Sequence, residues 1–137
     1  MRYMLDTNIL VYVLNARPHH QAVLDRFDHE APRDMVVSSI TLAELRFGIE
    51  KSGQRETSRR VLQHVLNALN VAPFDAKAAE RYGSVRASLE AEGNPIGPLD
   101  TLIAAHALSL DVTLITNNTR EFSKVRRLRV ENWVTNW

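Results

Sequence analysis

Three acids in this chain stand where chemistry could use them: Asp6, Glu44 and Asp100. Asp6 closes the apolar run Tyr3-Met4-Leu5. Glu44 falls in the first turn of a helical run that follows Met35-Val36-Val37. Asp100 opens a run of apolar residues after Ile96-Gly97-Pro98. Each has a purely structural reading: Asp6 and Asp100 suit helix N-caps, and Thr41-Leu42-Ala43-Glu44 fits a capping box. As a set they read differently. Glu44 shares a helical stripe with Ile40, Ala43, Phe47 and Gly48, which is expected to face inward. Asp100 precedes a helix apolar nearly all round. Two carboxylates about 5 Å apart at an effective dielectric of 20 repel by roughly 3 kcal/mol. Helix N-termini relieve about 0.3–1 kcal/mol each. A hard divalent ion relieves far more, and magnesium or manganese prefers such oxygen donors. The chemistry this points to is metal-assisted phosphodiester hydrolysis.

Other chemistries are excluded by residue type. There is no cysteine, so a disulfide framework, a zinc finger, an iron–sulfur cluster and a thiol nucleophile all fall away, and the composition suits a reducing cytosol. The surroundings of Gly93 and Gly97 match neither a P-loop nor a dinucleotide fingerprint. A haloacid-dehalogenase-type phosphohydrolase with Asp6 as nucleophile needs a second acid two residues on, where Asn8 stands. His106 lies on an apolar helical run and reads as a core or interface histidine. Trp133 and Trp137 read as packing anchors of the tail.

Elements positioned to carry these acids alternate along the chain. Tyr3-Met4-Leu5, Met35-Val36-Val37, Val71–Phe74 and Val112–Ile115 read as strands, with a further edge strand within Leu128–Trp133. Helices are expected over Thr7–Asn15, Pro18–Phe27, Ile40–Ser52, Arg55–Asn70, Ala76–Glu92 and Leu99–Ser109. This alternation predicts an α/β fold with a mostly parallel sheet of four or five short strands, and in such sheets ligands sit beyond the carboxyl ends of the strands. At 137 residues the chain is expected to form one domain over 1–137. No apolar run reaches the ~18 residues a membrane span needs. The net charge of +1 names no partner, so a nucleic-acid surface has to come from local clustering. Arg120, Lys124, Arg126, Arg127 and Arg129 are such a cluster, read as an RNA-phosphate surface or as a solvated tail. Arg55, Arg59 and Arg60, with Glu56 beside them, read as a solvated face or as part of a protein interface.

Four segments, Met4-Leu5-Asp6-Thr7-Asn8, Ser38 to Gly48, Pro95 to Ala104 and Thr116-Asn117-Asn118-Thr119-Arg120-Glu121-Phe122, together resemble the PIN-domain ribonucleases, and most of all the VapC toxins of type II toxin–antitoxin pairs. The resemblance covers essentially the whole chain, in order. It implies a three-layer α/β/α PIN-like fold, a cytoplasmic Mg²⁺-dependent endoribonuclease (Mn²⁺ a plausible substitute), a homodimer, no membrane association, and neutralisation by a VapB antitoxin. It assigns Asp6, Glu44 and Asp100 to the metal site. Many members carry a fourth acid in a Thr-Arg-Asp-like motif. Here that motif is Thr116-Asn117-Asn118, so Asn118 stands where the acid would be; two alternatives are open for the fourth position, Asn118 itself holding a water or a phosphate, or Glu121 three residues on as a substitute acid. Thr7, Asn8 and Thr116 are implied as groups behind the ligands, with turn chemistry as their alternative. The Thr-Asn-Asn-Thr-Arg-Glu-Phe segment and the Ile-Gly-Pro-Leu-Asp loop also resemble the subgroup that cuts initiator tRNA in its anticodon stem-loop. The competing reading is an inactive RNA-binding or antitoxin-sequestering PIN module, which the Asn118 replacement favours and the three retained acids oppose.

Overall fold

Five short strands form one sheet: β1 (Tyr3–Leu5), β2 (Met35–Ser38), β3 (Asn70–Ala72), β4 (Thr113–Ile115) and β5 (Val130–Glu131). Their order is β3-β2-β1-β4-β5, and every neighbouring pair is parallel. The computed structural model describes residues 1–15 and 20–134. The three central strands β2, β1 and β4 are buried on both faces, which is why they read as continuous apolar runs rather than alternating ones. Successive side chains still part to opposite faces. Tyr3, Leu5, Met35, Val37 and Ile115 join one core, with α1 (Thr7–Leu14), α2 (His20–His29), α3 (Ser39–Lys51) and α4 (Arg55–Asn67). Met4, Val36 and Leu114 join the other, with α5 (Ala76–Ala91), α6 (Pro98–Leu110) and α7 (Thr119–Phe122). The result is the expected three-layer α/β/α arrangement.

Several boundaries differ from expectation. The fourth helix stops at Asn67, and β3 begins at Asn70 rather than Val71. Pairing decides this, since β2 sets Val36 opposite Asn70 and Ser38 opposite Ala72. Pro73 then ends the strand because it has no N–H to give the ladder. Leu69 is buried from the connecting turn, not from a helix. A single 3₁₀ turn, Pro32–Asp34, and the four-residue α7 have no apolar periodicity and were not expected. The expected helix start at Pro18 and the anchor Trp137 lie outside the described residues. Trp133 packs as expected: it is 1% exposed, edge-on to Tyr3 and Phe27, with the Arg26 guanidinium 4.7 Å above its ring. Beside Phe27 a cleft of about 350 Å³ separates α2 from α4, lined by Leu24, Met35, Val65 and Leu69 among others.

The third helix corrects two expectations. Its inward row is Thr41, Leu45 and Ile49, not the stripe through Glu44. Ala43 and Gly48 are exposed and Phe47 is 65% exposed. The Thr41, Leu45 and Ile49 row, widened by Leu42, offers more aliphatic surface to the sheet, so the helix rotates to bury it. Nor is there a capping box at Thr41. The cap is Ser38, the last residue of β2, whose Oγ accepts the Ile40 N–H at 3.0 Å. The same oxygen lies 2.8 Å from Nδ1 of His106 on α6, the buried core histidine expected. Burial pushes that imidazole below its ordinary pKa. Ser38→Ala is therefore expected to remove a cap and orphan a buried ring nitrogen. The expected cost is about 2–3 kcal/mol by urea unfolding, with His106→Ala less than additive to it.

Candidate active site

Asp6 follows β1 directly, at the carboxyl edge of the sheet. Its N–H donates to the Ile115 carbonyl at the end of β4 (2.8 Å), which fixes its backbone between the two central strands. It caps α1: Oδ1 accepts the Thr7 N–H at 2.8 Å. Oδ2 accepts the Thr116 hydroxyl at 2.8 Å, and the Thr116 oxygen in turn accepts the Asn118 N–H at 2.9 Å. Asp6 is 1% exposed, so this carboxylate is held in one orientation in the interior.

Glu44 reaches the same edge from α3. Its Oε1 accepts the Thr7 hydroxyl at 2.7 Å, and the Thr7 and Thr41 hydroxyls lie 3.1 Å apart. Asp100 comes from α6, but not as a cap. Gly97 is the N-cap and Pro98 the first helical residue, so Asp100 sits third, within the first turn where the helix dipole favours an anion. Thr101 tightens that turn by donating its hydroxyl to the Gly97 carbonyl at 2.8 Å. Glu121, from α7, completes the group. Its Oε1 accepts the Gly97 N–H at 3.2 Å and its Oε2 accepts Asn118 Nδ2 at 3.0 Å. It also stands close enough to Asp100 for the two carboxyl groups to interact.

The electrostatics follow from this placement. Burial pushes Asp6 up from 3.8 to about 6, with the charges of Glu44 and Glu121 adding to the rise and the Thr116 and Thr7 hydrogen bonds opposing it. Asp100 is also raised to about 6, first by burial, then by the charges of Asp6, Glu121 and Glu44. Residues separated by up to 115 positions thus feel one another's charge. Among the described residues no three of these groups are drawn into a ready-made ion cage. The coupling runs through space.

The other candidates divide. Thr7 and Thr116 are wired to acids, whereas Asn8 is exposed and outside the network. Asn118 touches Glu121, the alternative to it for the fourth position. The basic cluster is not uniformly free: Arg129 pairs with Asp111 at 3.1 Å and Arg126 with Glu92 at 2.8 Å. Arg120 is exposed and Lys124 half-buried. Arg55 and Arg59 pair with Glu50 and Arg60 with Glu56, as a solvated face would. Sequence reasoning missed Thr41 beneath Glu44, and the clasp between Gly97 and Glu121. The three-residue step from Asn118 to Glu121, one helical turn, was the signal for half of that clasp.

With this geometry in place, known proteins can be compared. The PIN domain family matches residues 3–128. This chain belongs to the PIN-domain family. Within that family it is similar to the VapC ribonucleases over nearly its whole length. It is 45% identical over 134 residues to Ribonuclease VapC2 of Haemophilus influenzae, covering 98% of this chain and 99% of that protein. The tRNA(fMet)-specific endonuclease VapC of Shigella flexneri is 41% identical over 133 residues, covering 97% of this chain and 98% of that one. The crystal structure of DNA-bound VapBC from Salmonella typhimurium superposes with a TM-score of 0.91 at 38% identity, over 97% of this chain and 98% of that one. The PIN-domain chain is accordingly a nuclease of the VapC type.

The raised carboxyl groups fix a pH dependence. Folded Asp6 and Asp100 hold their protons up to about pH 6, against 3.8 ordinarily. Between those values the folded chain binds more protons than the unfolded one, so stability falls as pH rises. In EDTA the melting temperature should drop between pH 4 and pH 7. Asp6→Asn should flatten the drop and be about 2 kcal/mol more stable than wild type at pH 7. A wild-type melting temperature that rises over this interval, parallel to that of Asp6→Asn, would contradict the assignment.

Proposed function

We propose that this PIN-domain nuclease is a Mg²⁺-dependent endoribonuclease toxin of a VapBC-type pair, that it hydrolyses RNA phosphodiester bonds, and that its substrate is initiator tRNA, cut in the anticodon stem-loop. The observation that carries the reading is the mutual coupling of Asp6, Glu44, Asp100 and Glu121 at one sheet edge. The donor set consists of carboxylate oxygens alone, backed by threonine hydroxyls, without nitrogen or sulfur donors. That fits a hard divalent cation of the Mg²⁺ or Mn²⁺ kind. Asp6, Glu44 and Asp100 are the groups that would hold it, and when bound it supplies Lewis acidity to the phosphodiester and to the attacking water.

The chain's own residues set the rest. Thr116 and the Thr7 N–H leave Asp6 one orientation, and the Thr7 hydroxyl fixes Glu44. Both Glu121 oxygens already accept hydrogen bonds, which holds its charge beside Asp100. Asn118 therefore does not empty the fourth position. It retains an acid there by clamping Glu121, which argues against an inactive module. The tRNA assignment is supported by the relatives named tRNA(fMet)-specific endonucleases. A VapB-type antitoxin and assembly of two nuclease copies are proposed on the likeness to solved VapBC complexes. A cytoplasmic site is consistent with these partners, and among the described residues no helix is long and apolar enough to cross a membrane.

Purified protein incubated with total cellular RNA should generate new 5′ ends in initiator tRNA with Mg²⁺ and none with EDTA. Asp6→Asn and Asp100→Asn should each retain the fold and lose about a hundredfold or more of the cleavage rate. Full cleavage by Asp6→Asn, or by wild type in EDTA, would overturn the proposal. Glu121→Gln should need several-fold more Mg²⁺ for half-maximal cleavage, because it removes charge while retaining one acceptor.

A further inference from the structure

The helix α5 carries a surface of opposite sign to the carboxylates. Lys77, Arg81, Ser84 and Ser88 follow one another at steps of four, three and four, so they share a face of the helix. That face spans about 16 Å at 1.5 Å per residue. It borders two adjoining clefts, of about 330 and 440 Å³, which share Arg81, Ser84 and Leu108. Arg126 and Arg127 line the larger cleft's neighbour from the segment after α7. Of the acids nearby, Glu92 is paired with Arg126 at 2.8 Å, and Glu80 lines the outer cleft. Among the described residues Lys77, Arg81 and Arg127 make no salt bridge. Arg127 also holds a left-handed backbone, φ 66°, which an L side chain seldom adopts and which strains this turn.

A polyanion gains nothing from the catalytic edge itself, where four carboxylates gather in a chain of net charge only +1. Affinity for it has to come from cations placed elsewhere. We propose that the α5 groove, whose lining includes both Arg81 and Arg127, binds the phosphodiester backbone of a folded RNA at a distance from the scissile bond. This inference rests on RNA being the substrate. Unpaired guanidinium groups suit phosphate oxygens in a row, because they donate to them without reading bases, whereas the Ser84 hydroxyl is already donated to the Arg81 carbonyl at 3.0 Å. The groove is then a docking site that favours a structured tRNA over a short single strand.

The test is binding in EDTA, so that no turnover enters, with full-length tRNA and a short single-stranded oligonucleotide read by fluorescence anisotropy across a salt series. The variants are Arg81→Glu and Arg127→Gly, alone and combined. Glycine accepts the left-handed conformation freely, so Arg127→Gly removes charge without disturbing the turn. The double variant should bind tRNA about tenfold more weakly at 0.1 M salt. Its log–log salt slope should shrink by about two contacts, while oligonucleotide binding and its Mg²⁺-dependent cleavage stay at wild-type level. The proposal is overturned by wild-type tRNA affinity and slope in the variants, by equal weakening for both RNAs, or by loss of antitoxin binding with tRNA affinity intact, which would make the groove a protein interface. Failure of wild type to cleave any RNA with Mg²⁺ would count against the nuclease reading alone, since binding in EDTA is measured separately.

Discussion

The burial of carboxyl groups at the carboxyl edge of the sheet, with their mutual repulsion added to it, is the constraint around which the rest of this structure is arranged. The displacement of Asp6 to about pH 6 corresponds to roughly 3 kcal/mol held against its charged form, a sizeable part of the ~5–15 kcal/mol that keeps a domain folded. The fold opposes it with fixed dipoles. Asp6 receives a backbone N–H and a buried hydroxyl, Asp100 lies in the first turn of α6, and Glu121 receives the Gly97 N–H. None of these neutralises the cluster. The edge thus holds its carboxyl groups in fixed positions at a cost in free energy.

The scaffold transmits position to these acids through few contacts. Ser38 ends β2, caps α3 and touches His106 of α6. Phe74, after β3, packs edge-on to the same imidazole, 5.3 Å between centroids. The helices bearing Glu44 and Asp100 are thereby joined through one buried polar pair beneath the site. Burial disfavours the charged form of His106 at this joint, against the opposing pull of the Asp75 charge.

Much of this was legible in the residues. The strands Tyr3–Leu5 and Met35–Ser38 announce themselves as apolar runs because both faces of a parallel sheet are covered. Asp6 and Asp100 stood out at the ends of apolar and loop segments for the same reason. What escaped was whatever depends on partners distant in the chain. The rotation of α3 was decided by Leu45 and Ile49 competing with Phe47 for the sheet, and local periodicity through Glu44 could not settle it. The end of β3 was set by its register against β2. The Gly97–Glu121 clasp joins a loop to a helix of four residues, too short to carry a pattern.

The second helix has a different standing from the others. It contributes one fully buried residue, Val23, and overhangs the cleft against α4. Its hold on the body runs through Phe27 and Arg26 onto Trp133, with Arg26 also reaching Glu30 and Glu131. Through Val23 and Phe27 it still shares the core on that side of the sheet, so its attachment rests on a few side chains rather than on a full apolar face. One tryptophan therefore anchors this flank: losing the Trp133 ring would release Phe27 and Arg26 together, while the acids at the sheet edge keep their own partners.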